Sequence, residues 1–252
     1  TPAAAAPPGG LAVWWYVFLL RLATLREFWY WQVLGWLLFP LGILYFFKMA
    51  AGGDPEGAAY LIGGNVVFGL VISTVQFVSS DLAWARQRND LDFFATLPVS
   101  RLQLVLAFVA VSALSSIPGA IINLQVAGWV LHQPVAWQPV LLLLVTLSVL
   151  SMAGVGVMIG VTARNGTHAN IINNIVLVGV TFLSPVFVPL ERLPEILQYT
   201  AMVLPTTYAA HGMRAAALGG DGSGLWVDLA VLAGWAAVSL WLAVTRLEWR
   251  RD

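Results

Sequence analysis

WQPVLLLLVTLSVLSMAGVGVMIGVT, residues 137 to 162, contains no charged side chain. At 1.5 Å of rise per residue, a helix over this stretch is long enough to cross the roughly 30 Å of hydrocarbon in a bilayer. The whole chain of 252 residues is also unusually apolar. Hydrophobic residues make up 60% of it and charged residues 10%, against about 45–50% and about 25% in soluble domains. The sequence therefore predicts an integral membrane protein.

Six stretches have the length and apolar composition of membrane spans. They run over residues 28–47, 58–79, 102–131, 137–162, 169–188 and 225–245. An apolar run that is too short to cross precedes them, and its Trp14, Phe18 and Leu22 recur at helical spacing. This pattern predicts a helix in the membrane interface over about residues 11–27. Residues 1–10, TPAAAAPPGG, lack the apolar side chains that a core needs, and we expect them to be disordered.

The segment 189–220, before the last predicted span, is semi-apolar and is broken by Pro194 and Pro205. We interpret it as two short helices that are partly re-entrant, since irregular backbone at membrane depth must be covered by protein or line a water-filled cavity. The predicted fold class is thus all-α, a single transmembrane domain over residues 11–252. It contains six transmembrane helices, the interface helix, one helix in the cytoplasm and the short re-entrant helices.

The cationic residues predict the orientation of the chain. If both termini are cytoplasmic, nine of the 12 Lys and Arg residues lie on the cytoplasmic side. This distribution follows the rule that loops rich in Lys and Arg stay inside the cell. It places the segment 189–220 on the outer side of the membrane.

Residues 81–101 carry six charged side chains, among them Asp81. Inside a bilayer these would cost on the order of 15–20 kcal/mol, so the segment is predicted to be cytoplasmic. The residues that recur at helical spacing are Trp84, Leu91, Phe94 and Ala95. This spacing predicts a short amphipathic helix over about residues 82–97 that ends at Pro98. The pattern places Arg86 with Asp90, and Arg88 with Asp92, as ion pairs at i,i+4 on its polar face. The segment is either an ordinary solvated loop or a docking element for a cytoplasmic partner.

Several kinds of chemistry are excluded or disfavoured by composition. A net charge of zero disfavours nucleic acid as a partner, and a chain without cysteine has no thiolate site. A phosphate-binding loop needs a lysine after its glycines, and the only lysine is Lys48, in FFKMA. The three histidines are far apart in sequence, so we predict no metal site and no catalytic residue. Asp228, in the last span, is interpreted as a headgroup-level residue rather than a proton relay.

Two stretches carry a resemblance to a known family. RNDLDFFATLPVSRLQLVLAF, residues 88–108, resembles the intracellular segment of ABC-2-type export permeases, and LPTTYAAHGMRAAALGG, residues 204–220, resembles that family's segment before the last span. The resemblance implies a permease subunit in the cytoplasmic membrane of a prokaryote. It also implies two ABC ATPase subunits as partners, which would carry ATP and Mg, and a second, identical permease. This chain itself would bind no cofactor and would not be an enzyme.

In the family, the short cytoplasmic helix and the interface helix beside it couple to the ATPase. The residues that the resemblance assigns to this role are Arg86, Arg88, Asp90, Asp92, Phe94, Pro98, Arg101, Arg21, Arg26 and Glu27.

The second and fifth spans of two copies line the pathway in this family. Asn170, Asn173 and Asn174 lie on one face of the fifth span. They either form hydrogen bonds between helices, worth about 0.6 kcal/mol each on average, or line a substrate entry. The candidate pathway residues are Asn65, Phe68, Val71, Gln76, Asn170, Asn173, Asn174, Phe182, Phe187 and Tyr199.

The composition of these candidates favours an amphipathic drug or lipid-like molecule as the exported substrate, because they mix apolar with small polar groups. A lipid-linked polysaccharide is the alternative substrate. The alternative class of protein is an ATP-independent carrier or a structural membrane subunit.

Overall fold

The computed structural model describes residues 10–25, 29–50, 55–97, 99–183, 194–220 and 224–246. These residues form eleven α-helices and one π-helical segment, π1. The first helices are α1 (Gly10–Leu25), α2 (Trp29–Ala50), α3 (Pro55–Leu70), π1 (Val71–Gln76), α4 (Phe77–Gln87) and α5 (Asp90–Thr96). They are followed by α6 (Arg101–Val130), α7 (Pro139–Thr162), α8 (Gly166–Leu183), α9 (Glu195–Val203), α10 (Pro205–Ala217) and α11 (Leu225–Arg246). The all-helical prediction is confirmed for the described part of the chain.

Among the described residues, four helices are long and apolar enough to cross a membrane: Ala59–Gln87, Arg101–Val130, Pro139–Thr162 and Leu225–Arg246. They coincide with four of the six predicted spans. The described residues of the other two predicted spans are helical as well, in α2 and α8, but these helices are not among the four. The helices α9 and α10 occupy the segment that we interpreted as two short helices, whose residues 189–193 lie outside the described part.

The second predicted span is longer than expected. We predicted residues 58–79, and the structure continues helical through α3, π1 and α4 as far as Gln87. A π-helix closes each turn with one residue more than an α-helix, and such turns usually occur singly inside α-helices. At π1, the hydroxyl of Ser116 on α6 donates to the backbone oxygen of Ser73 at 3.1 Å.

The helix α7 lies at the centre of the bundle, because small residues let its neighbours approach closely. A Cβ atom on Gly154 would overlap Ser239 of α11, and one on Gly156 would lie 2.9 Å from the backbone oxygen of Val75. A Cβ on Gly160 would lie 2.9 Å from Leu82 of α4. Close packing of this kind drives helix association in membranes, where lipid tails are as apolar as the side chains.

The bundle has two ends that differ in their contacts. At the end that we call the α5 end, α5 packs where α4 stops and α6 starts. A capping box starts α6, since Ser100 and Gln103 bond to each other's backbone N–H groups at 3.2 and 2.8 Å. At the opposite end, the α10 end, the ammonium of Lys48 donates to the backbone oxygen of Val130 at 2.5 Å.

Candidate functional site

The short helix α5 is fixed to the bundle by two apolar side chains. Leu91 and Phe94 are 5% and 2% exposed, and they pack in a cluster that includes Val17 of α1, Leu82 of α4 and Phe108 of α6. Burying a Leu or Phe side chain contributes roughly 1.5–3 kcal/mol, so α5 is held in place rather than being a free loop. Leu91 and Phe94 are two of the four residues that the spacing in the sequence placed on an apolar stripe. The other two are exposed instead: Trp84, which is 40% exposed and belongs to α4, and Ala95.

The outward side of α5 is polar with one exposed ring. The carboxylate of Asp90 pairs with Arg88 at 3.0 Å, and their side chains are 36% and 54% exposed. Asp92 is exposed, and Phe93 is 55% exposed. Exposed aromatic rings are enriched at protein-binding surfaces, and the rims of such surfaces are polar.

The predicted extent of this helix and its ion pairs need correction. Residues 82–87 belong to α4, and Asn89 separates α4 from α5 with a left-handed φ of 61°. Asn adopts this conformation more readily than other residues with a Cβ, because its amide can bond locally. The predicted Arg86–Asp90 pair is wrong, since Arg86 donates to the backbone oxygen of Val161 on α7 at 2.5 Å. Asp90 pairs with Arg88 instead, so the pairing of Arg88 with Asp92 is wrong too.

Arg21 of α1 was predicted to contact the ATPase, and the structure places it inside the protein. It is 2% exposed and donates to the carboxylate of Asp81 on α4. Its guanidinium carbon lies 3.9 Å from the ring centroid of Phe108. A buried charge needs such a partner, because an unpaired one loses its hydration. The pair therefore joins α1 to α4 across the face of α6.

The face of α1 that meets the bundle differs from the predicted one. Val13, Val17 and Arg21 are buried, whereas Trp14 and Phe18, which the spacing placed on the apolar stripe, are only half-buried. The predicted coupling residues Arg26, Glu27 and Pro98 lie outside the described residues. Arg101 is exposed at the start of α6.

The asparagines of α8 make hydrogen bonds to α4 at the α5 end. The hydroxyl of Ser79 donates to the side-chain oxygen of Asn173 at 2.8 Å, and that of Ser80 donates to Asn170 at 2.9 Å. Asn173 is 3% exposed, while Asn170 and Asn174 are exposed. Asn173 thus matches the helix-packing alternative, and Asn174 has an outward side chain that is available to line a cavity.

The candidate pathway residues of α3 and π1 lie inside the protomer. Asn65, Phe68 and Val71 are at most 1% exposed, and Asn65 donates to the amide oxygen of Asn123 on α6 at 2.6 Å. Gln76 is half-buried. Tyr199 lies on α9 and is 72% exposed. The side chain of Phe182, and Phe187, lie outside what the structure describes.

A polar contact at the α10 end was missed by sequence reasoning. Asp228 is 3% exposed, and Nδ1 of His211 lies 2.7 Å from its carboxylate oxygen. The structure thus buries this carboxylate against α10. The signal was a lone acid in an apolar span, which predicts a partner but does not say which. Within the described part of the chain, no three His, Asp or Glu side chains lie close enough together to hold a metal ion.

Two comparisons with known proteins bear on these features. The model of the family described as "ABC-2 type transporter" matches residues 10–218, which include α1, α5 and the amide contacts of α8. No curated protein matches the sequence.

Proposed function

This chain belongs to the ABC-2 type transporter family and is a transmembrane component of an ABC-type transporter; we propose that it is the permease subunit of an ATP-driven exporter. The observation that carries the proposal is α5. It is anchored by Leu91 and Phe94 and presents Asp90, Asp92 and Phe93 outward. Since ABC-2 permeases work with ABC ATPase subunits, α5 is where an ATPase would dock on the cytoplasmic side.

The contacts around α5 support a role for this helix in transmitting movement of the ATPase to the other helices. Asp81 on α4 is paired with Arg21 of α1, and Arg86 on α4 bonds to α7. A displacement of α5 by the ATPase would therefore carry α1, α4 and α7 with it. Such a displacement shifts the transporter between states only if the ATPase contacts α5 differently in each of them.

The outward face of α8 supports a pathway between two copies of the permease. Ile171, Ile175 and Val178 are 54%, 66% and 57% exposed, and the exposed Asn170 and Asn174 alternate with them along the same helix. Amide groups are costly against lipid and are tolerated in spans that face protein or water. We propose that two identical copies place these faces around a path. The mixture of polar and apolar side chains along it suits an amphipathic drug or lipid-like substrate.

Charge reversal on α5 tests the docking role. The double variant Asp90→Arg and Asp92→Arg is compared with Glu195→Arg, which reverses an exposed carboxylate on α9 at the other end of the bundle. Juxtaposed like charges cost several kcal/mol at an interface, so we expect the α5 variant to bind candidate ABC ATPase subunits at least tenfold more weakly, or about 1.4 kcal/mol. Undiminished binding and transport in the double variant would refute the docking role.

The substrate is tested on the reconstituted complex. ATP hydrolysis is measured with amphipathic drugs, with lipids and with lipid-linked glycans added separately. Stimulation by drugs or lipids supports the proposed substrate class, whereas stimulation by glycans alone assigns the exporter to polysaccharide. A permease that transports without any ATPase subunit would make it an ATP-independent carrier.

A further inference from the structure

An apolar groove separates α1 from α5. It is a cavity of about 280 Å³ lined by Val13, Tyr16, Val17 and Leu20 of α1, by Phe93 and Phe94 of α5, and by Leu97. The lining is almost wholly apolar, so a polar molecule would lose its hydration there without gaining hydrogen bonds. The volume is slightly below the roughly 300 Å³ at which small-molecule pockets begin. The groove therefore fits something slender and apolar.

The helix α1 is apolar on its outer face as well as on its inner face. Leu11, Trp15 and Leu19 are 84%, 50% and 40% exposed. Its only charged residue in the described range, Arg21, is turned inward to Asp81. A helix that is hydrophobic all round is surrounded by protein or by lipid, not by water. In a membrane protein this outer face of α1 suits contact with lipid, and the groove lies directly on its flank.

The other wall of the groove faces the aqueous side. It belongs to α5, which carries the exposed Asp92 directly beside Phe93. The groove therefore lies at the boundary between hydrocarbon and water, with an open flank toward lipid.

We propose that one acyl chain of a membrane lipid occupies the groove between α1 and α5. The acyl chain enters along the lipid-facing side of α1, and the headgroup of the lipid stays at the level of the charged residues of α5. The acyl chain fills the space between Leu20 and Phe93, so that α5 packs against lipid as well as against protein. This occupancy is a property of the permease alone and does not depend on the proposed function.

Photolabelling tests the site. The permease is placed without partner subunits in nanodiscs of phosphatidylcholine that carries a diazirine in its acyl chain. It is then irradiated and digested, and the adducts are located by mass spectrometry. We expect adducts on residues 93–97, which follow the charged Asp90 and Asp92 and therefore lie outside the reach of bulk acyl chains. Adducts on the exposed apolar residues of α11, such as Trp241, report the bilayer and serve as the internal standard.

A matched pair of variants separates the groove from the bulk bilayer. Leu20→Trp fills the groove, whereas Leu19→Trp adds the same side chain to the next position of α1, which does not line it. We expect the first variant to reduce labelling of residues 93–97 to background while α11 is labelled as before, and the second to leave both unchanged. Equal labelling of residues 93–97 in the two variants would overturn the proposal. So would absence of label there in the parent protein.

Discussion

Replacing Asp81 by Leu leaves the guanidinium of Arg21 without its carboxylate. Arg21 is 2% exposed, so water cannot take the place of the lost partner. Removing one member of a buried ion pair costs about 3–5 kcal/mol. Because the side chain of Asp81 is 22% exposed, part of the pair is solvated already, and the expected loss falls to about 2–4 kcal/mol. The ring of Phe108 under the guanidinium does not replace a carboxylate.

The loss is measured as a change in the free energy of unfolding in an SDS titration of the micelle-solubilised protein, followed by circular dichroism. A second variant removes both charges, Arg21→Met with Asp81→Leu, and we expect it to regain stability to within about 1 kcal/mol of the parent. The matched control is the exposed pair of the same residue types, Arg88 and Asp90, where Asp90→Leu is expected to cost less than about 1 kcal/mol.

The reasoning fails if Asp81→Leu and Asp90→Leu are equally mild, since burial would then have no effect. It also fails if the double variant is as unstable as the single one. In that case the cost of Asp81→Leu would come from the shape of the site and not from a stranded charge.

Three further predictions concern the helices around this site. Asn89→Val is expected to lower the free energy of unfolding by about 1–2 kcal/mol because of its left-handed φ, and Asn89→Gly is expected not to; equal effects would contradict this account. Gly154→Ala is expected to cost about 1–3 kcal/mol by overpacking against α11, whereas Gly179→Ala, with nothing within 4 Å, is expected to be neutral, and the same titration checks both. A double-mutant cycle of Ser79→Ala and Asn173→Ala is expected to give a coupling of about 0.6 kcal/mol, and a value of zero would remove this contact from the account of helix packing.

The burial of Leu91 and Phe94 was predictable from their helical spacing, although the same stripe also contained Trp84 and Ala95, which are exposed. The buried face of α1 was not predictable. Almost every residue of GLAVWWYVFLLRLATL is apolar, so several faces of the helix are equally hydrophobic. The choice among them depends on what the bundle offers. Asp81 on α4 offers a partner for Arg21, and only the rotation that buries Val13, Val17 and Arg21 brings the charge to it.

The end of α4 shows a second limit of sequence reasoning. Arg86, Asp90 and their neighbours have ordinary helix propensities, so nothing in their spacing excludes one continuous helix. The break occurs at Asn89, a residue type that tolerates a left-handed φ. Its position is decided by the packing of Phe94 in the cluster under α5, which is a tertiary effect. The contact of Asp228 with His211 was hidden for a similar reason, because the two residues lie on different helices.

The amide contacts between α4 and α8 depend on the π-helical segment that precedes them. Successive residues of an α-helix are rotated by about 100°, so the extra residue in the π turn rotates everything after it by about that angle relative to α3. The rotation directs Ser79 at Asn173, whereas an unbroken α-helix with the same α3 would turn Ser79 away from α8. The register of π1 thus decides which face of α4 meets α8 at the α5 end.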